Sequence, residues 1–138
     1  PEADAYDYVA GYTILNDVTA RAMQQQDIKT GNPWLRSKSI DTFCPLGPYL
    51  APADEISDPH TLQLELKVNG KIKQKADTGS MIFSLTHIIS YLSRYMTLNA
   101  GDIISTGTPS GVSEIRNGDT VEIAVTDLGV QQNRIVKN

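Results

Sequence analysis

At 138 residues, 40% of them apolar, the chain is long enough for one compact domain with its own core. Charged residues make up 20%, the net charge is -4 and the sequence pI is near 5.0, so there is neither a basic footprint for nucleic acid nor a polybasic membrane patch. No segment approaches a run of about 18 apolar residues, the acidic start "PEADAYDY" lacks a signal-peptide layout, and a lone cysteine, Cys44, excludes an internal disulfide and fits a reducing cytoplasm.

In chain order, "PEADAYDYV" reads as a short helical piece with an acidic first turn. The next stretch, "GYTILNDVTARAMQ", alternates as a strand over residues 11–18, with Gly11, Thr13, Leu15 and Asp17 on one side. Good helix formers follow, which places Arg21 and Gln24 on one helical face. Asp17 fits two readings at this point: a helix cap paired with Arg21, or a functional carboxylate at a strand end. Residues 29–59 carry five prolines and no periodicity, a loop length that usually signals function or strong tethering. Trp34 is expected to be its buried anchor, and Cys44 a buried or semi-buried structural thiol rather than a nucleophile.

The segment "TLQLELKVNGKIKQKAD" predicts a hairpin with a type I′ turn at Asn69-Gly70. Leu62, Leu64, Leu66 and Val68 should face a core, with the lysines and glutamines in water. "SLTHIISYLSRYM" predicts a helix capped by Ser84, with Leu85, Ile88, Ile89, Leu92 and Met96 as its apolar stripe and His87 off it. Strands are expected in "GDIISTG", around Ile103-Ile104, in "GDTVEIAVTDLG" and in "VQQNRIVKN". The reading is a mainly β (α+β) fold with two or three short helices, one domain over residues 1–138.

Three segments carry possible chemistry: Asp17 with Arg21 and Gln24; Lys38 between two serines; and "STGTPSGV", residues 105–112. In the last, backbone N–H groups and the Thr106, Thr108 and Ser110 hydroxyls make a plausible carboxylate cradle. Each alone also fits plain surface or turn chemistry. A zinc site is not expected from His60, His87 and one cysteine.

Taken together, "DYVAGYTILNDVTAR", "PWLRSKSIDTFCPLGPYL", "ISDPHTLQLELKVNG", "MIFSLTHIISYLSRYMTLNAGDIISTGTPSGV" and "NRIV" span nearly the whole chain. In this order they closely resemble the fumarylacetoacetate hydrolase family, in its branch of isomerases, decarboxylases and acylpyruvate hydrolases of aromatic catabolism. The resemblance implies a mixed β-sandwich-like roll, usually dimeric. It also implies a Mg²⁺ or Mn²⁺ cofactor held by a Glu-x-Glu pair and by the aspartate that corresponds to Asp17. Arg21, Gln24 and Lys38 would be catalytic and, with Thr108, would bind the substrate.

Substrates of the family are 2-oxo or 2,4-dioxo acids and their enols, which a hard divalent ion can chelate and polarise. Lys38 and Arg21 would add positive charge where an enolate develops, about a few kcal/mol each in a dry site. Isomerisation, decarboxylation and C–C hydrolysis share this logic, with acylpyruvate hydrolysis and oxaloacetate decarboxylation as alternatives. The sequence departs from the pattern in two places. Ala22 stands where an acidic residue is usual, and no Glu-x-Glu precedes Asp17. The chain therefore reads as the C-terminal part of a catalytic domain, completed by an upstream segment or a companion chain. A non-catalytic domain with an oligomerisation or ligand-binding role is the reading of another class.

Overall fold

The computed structural model describes residues 1–136. A 3-10 turn, Glu2–Tyr8, leads into a two-residue strand, β1 (Gly11–Tyr12). The strand expected over 11–18 is much shorter than its alternation suggests. Beyond Tyr12 only an isolated bridge, Leu15 to Leu46, continues the pairing. Asn16 N–H donates to Pro45 O at 3.1 Å and Gly47 N–H to Ile14 O at 3.0 Å. The loop at 45–47 thus satisfies this backbone locally, where a continuous ladder was expected.

Helix α1 (Arg21–Lys29) follows, and its N-cap is Ala20, with no side-chain cap. Asp17 is therefore not the helix cap that one reading of the sequence allowed. The ion pair between buried Asp27 and the largely exposed Arg36 ties α1 to the next 3-10 turn, Trp34–Ser37. Arg36 Nε donates to Asp27 Oδ2 at 2.8 Å and Nη2 to Oδ1 at 2.5 Å, and Asp27 is fully buried. Those hydrogen bonds hold the Asp27 carboxyl below its ordinary range against the upward push of burial, and the guanidinium charge adds to them.

Two expectations fail in the loop. Trp34 is 44% exposed and lies with its ring centroid 5.9 Å from the Lys38 ammonium, covering that cation instead of entering the core. Cys44 is exposed, because the turn around it runs outward through left-handed residues, Thr42 at φ 70° and Cys44 at φ 59°.

Strand β2 (Ala51–Pro52) pairs with β1, Gly11 opposite Pro52. Among the described residues, the main sheet has four antiparallel strands in the order β4-β3-β5-β6. Strands β3 (Gln63–Val68) and β4 (Lys71–Asp77) form the expected hairpin. Both turn residues have positive φ, Asn69 at 50° and Gly70 at 75°, the type I′ signature whose twist suits a two-residue connection. A register shift falls between Leu66 and Lys67.

Helix α2 (Leu85–Ser93) starts as expected, the Ser84 hydroxyl accepting from His87 N–H at 3.1 Å. Its apolar stripe is only half-buried, and Met96 falls beyond its end. Phe83, His87, Tyr91 and Tyr95 stack along another side, with centroids 5.1, 6.4 and 5.1 Å apart. His87 Nδ1 lies 2.9 Å from Glu2 Oε1, so it is the edge residue the pattern suggested.

Strands β5 (Thr120–Val125) and β6 (Gly129–Arg134) complete the sheet. The expected strand at Ile103-Ile104 is absent. Among the described residues no strand pairs with it, and an unpaired backbone has no ladder to hold it extended. For the final strand, Lys137 and Asn138 lie outside the described residues.

The core sits against one face of this sheet. Val68 opposes Val121, Leu66 opposes Ile123 and Leu64 opposes Val125, and the β5 residues alternate in and out. Ile14, Ala51, Ile56, Leu62 and Leu128 pack with them. Each fully buried aliphatic side chain of this kind contributes about 1.5–3 kcal/mol. Buried Gln131 ties the segment before Asp17 to β6: its Nε2 donates to Pro45 O at 3.0 Å and to Ile14 O and Gly47 O at 3.4 Å. The mainly β reading with two or three short helices is borne out, the described residues holding two α-helices.

Candidate functional site

Asp17 projects from the irregular stretch between β1 and α1, a position fixed by the Ile14 and Asn16 backbone bonds just before it. The Lys38 ammonium donates to Asp17 Oδ2 and to Thr19 Oγ1, the latter at 3.2 Å. Lys38 is carried there by the Trp34–Ser37 turn. Ser37 is fully buried and its hydroxyl donates to Trp34 O at 2.6 Å. The Asp27–Arg36 pair clamps the same turn onto α1, so both ends of the Asp17–Lys38 contact are built on tethered backbone.

Arg21 does not pair with Asp17. Its Nη1 donates to Gln24 Oε1, one helical turn on, and Gln24 is buried beneath it. The amide of Gln24 thus orients a guanidinium that stays exposed. Lys38, Asp17 and Thr19 form one group, and Arg21 with Gln24 a second one beside it.

Thr108 belongs to a third group that the sequence did not anticipate in full. Gln74, expected to face water, is only 7% exposed. Its Nε2 donates to Thr108 Oγ1 and to Pro109 O, both at 2.8 Å. The physical reason lies at Gly111, where a Cβ would sit 2.0 Å from Lys73 O. That close approach brings the 105–112 loop down onto β4 and buries the Gln74 amide, which then needs the loop's acceptors. One signal was available: Gln74 shares strand parity with Ile72 and Ala76, not with the lysines.

Asp17, Thr19, Arg21, Gln74 and Thr108 line one open cleft of about 2010 Å³, whereas Lys38 and Gln24 are not among its lining residues. This exceeds the roughly 300–1,000 Å³ of an ordinary small-molecule pocket. Much of the remaining lining is apolar, including Leu64, Leu66, Ile88 and Ile89. Only the polar corner has the chemistry of a small-molecule site. The Arg21 guanidinium and the Thr19 and Thr108 hydroxyls suit an oxygen-rich anion, such as a carboxylate beside a carbonyl or enolate oxygen.

Among the described residues, no three His, Cys, Asp or Glu side chains come together as a metal centre. Asp17 is a single carboxylate, and one of its oxygens already meets Lys38. A hard divalent ion requires several oxygen ligands, so these residues alone do not fit one. Among the same residues no helix is long and apolar enough to cross a membrane.

Residues 1–136 match the family model described as Fumarylacetoacetate (FAA) hydrolase C-terminal. The chain belongs to the fumarylacetoacetate hydrolase family. A mitochondrial oxaloacetate tautomerase FAHD1 of Mus musculus is 49% identical over 125 residues, 91% of this chain and 56% of that protein. A fumarylpyruvate hydrolase from Pseudomonas aeruginosa, solved in complex with Mn²⁺ and pyruvate, superposes with a TM-score of 0.95 at 35% identity. That match covers 100% of this chain and 59% of the hydrolase. A 2-hydroxyhepta-2,4-diene-1,7-dioate isomerase from Mycobacterium marinum gives 0.88 at 44% identity, covering 98% of this chain and 51% of the isomerase. The chain spans about half the length of the first curated relatives it matches, 52% to 60%.

Proposed function

We propose that the protein is an enzyme acting on 2-oxo or 2,4-dioxo acids and their enols, by isomerisation, decarboxylation or C–C hydrolysis, in a cytoplasmic aromatic-catabolic setting. The observation that carries this reading is that Asp17, Arg21 and Thr108 line one cleft, with Lys38 bonded to Asp17. In this reading Thr108 and nearby backbone amides hold the substrate carboxylate. Arg21, oriented by Gln24, and Lys38 set positive charge beside the oxygen that becomes an enolate oxygen. Acylpyruvate hydrolysis and oxaloacetate decarboxylation remain alternatives within it.

The same reading makes Asp17 this chain's one contribution to a Mg²⁺ or Mn²⁺ site, with the other ligands supplied from outside these 138 residues. The Mn²⁺ and pyruvate of the Pseudomonas aeruginosa hydrolase support that choice of ion and of ligand class. Domain organisation follows suit: residues 1–138 act as one part of a larger catalytic domain. A homodimer is the proposed assembly, supported by the exposed row of Phe83, Tyr91 and Tyr95 with Ile82 at 92% exposure. Sedimentation velocity on the full-length protein tests it, a monomer at micromolar concentration counting against it.

A second, non-catalytic reading draws on the lack of a three-ligand metal group among the described residues. Assaying the full-length protein with oxaloacetate, fumarylpyruvate and 5-carboxymethyl-2-hydroxymuconate separates the two. Turnover of any of them that falls at least about a hundredfold in Arg21→Met supports the enzyme. No turnover of the whole panel, from folded protein with Mg²⁺ or Mn²⁺ added, favours the non-catalytic domain.

A further inference from the structure

We infer that Gln74 is a positioning residue that fixes Thr108 as a hydrogen-bond donor to the substrate carboxylate. The inference rests on the proposed 2-oxo-acid site and adds to it a residue that acts through Thr108. Its starting point is Pro109, whose carbonyl can only accept a hydrogen bond. Gln74 lies within 2.8 Å of that carbonyl, so its NH₂ end must face it. The same nitrogen is 2.8 Å from Thr108 Oγ1, so the hydroxyl oxygen is the acceptor there as well. A hydroxyl that accepts from Gln74 keeps its own proton for another partner. Thr108 lines the open cleft, and an anion arriving there meets an O–H already committed to donation.

Two features make this more than loop packing. Gln74 is 7% exposed, so its amide cannot turn to water without unmaking both bonds. Gly111, at φ 99° with Lys73 O 2.0 Å from where a Cβ would stand, holds the loop at the one height where both bonds form. The strand therefore sets both the position and the polarity of the hydroxyl.

The polarity claim separates this role from simple filling of space. Gln74→Glu preserves shape but puts an acceptor in place of the donor. It would take the Thr108 proton away from the cleft and oppose the Pro109 carbonyl. Gln74→Leu removes both bonds and leaves the hydroxyl free to rotate. Titration calorimetry of pyruvate into full-length protein, with Mn²⁺ present, should show about a tenfold loss of affinity for Gln74→Glu and about threefold for Gln74→Leu. In a Thr108→Val background the two Gln74 variants should agree within about twofold, since the hydroxyl they act through is gone.

If Gln74→Glu does not fold, Gln74→Leu decides alone: its loss should be present with Thr108 and absent with Val. A milder effect for Glu than for Leu, or a loss that survives Thr108→Val, would overturn the inference and leave the 2-oxo-acid reading standing. Pyruvate that does not bind the folded unmodified protein would overturn that reading, and this inference with it.

Discussion

Lys38 rests its ammonium on the Asp17 carboxylate, 21 positions earlier in the chain, and the contact joins the long proline-rich loop to the stretch before α1. The two side chains are 24% and 44% exposed, so the pair lies where solvent still screens it. Ion pairs of that kind contribute at most about 1 kcal/mol to stability. The contact is better explained by what it places beside the cleft than by what it adds to the fold.

Lys38→Met tests that distinction. Turnover of the preferred 2-oxo acid should fall by about 10²–10³, the usual cost of removing one group that stabilises a developing oxyanion. The thermal midpoint should stay nearly unchanged, since the Lys38 contacts with Asp17, Thr19 and the Trp34 ring lie where solvent reaches them. Steady-state kinetics alongside a thermal melt reads both, and a large drop in midpoint with intact kcat would reverse the assignment.

Acid should act through Asp27. Arg36 holds its carboxyl below the ordinary value of 3.8. The unfolded chain therefore binds that proton first, and the stability from the pair is fully present above about pH 5. It is lost as pH falls below 3.8 through the lower folded value. Asp27→Asn should melt several degrees below the unmodified protein at pH 7, with the gap closing as pH falls below 4. Glu65, Glu114 and Asp119 are shifted in the same direction, so the comparison between the two proteins isolates Asp27.

Gln131→Met should weaken the frame beneath Asp17. The substitution fills similar space but takes this donor from the carbonyls of Ile14, Pro45 and Gly47, while Ile14 O and Pro45 O keep their backbone donors, Gly47 N–H and Asn16 N–H. Losing these side-chain hydrogen bonds costs about 1 kcal/mol. Urea denaturation should show a lower midpoint with an unchanged m-value.

Gly111→Ala should lift the 105–112 loop from β4. The new methyl would meet Lys73 O, and the residue would be held at a φ that alanine disfavours. We expect about 1–3 kcal/mol of destabilisation. A fall of at least about tenfold in kcat/KM should accompany it, because a displacement of about 1 Å suffices to misplace a binding group. Kinetics and a denaturation curve on one preparation measure both.

What could be read in the sequence was what short-range chemistry determines. Asn69-Gly70 fixed a turn type, Ser84 a helix start, and glycine turns bracketed β5 and most of β6. Errors arose where a distant partner decides. Ile103-Ile104 has the composition of a strand but no neighbouring strand among the described residues. Trp34 found a cation, not a core. Gln74 was hidden because its partners lie 34 and 35 residues away, beyond any local pattern. For the site itself, the family wording brought Asp17, Arg21, Gln24, Lys38 and Thr108 into view together. The pairing of Lys38 with Asp17, and of Arg21 with Gln24, became visible only in three dimensions.

The most direct test of Asp17 as this chain's ligand in a 2-oxo-acid site is Mn²⁺ titration of the full-length protein, followed by paramagnetic resonance with and without oxalate. The account predicts micromolar binding, a spectrum altered by oxalate, and loss of both in Asp17→Ala at unchanged thermal stability. Mn²⁺ and oxalate binding that persists undiminished in Asp17→Ala would contradict it.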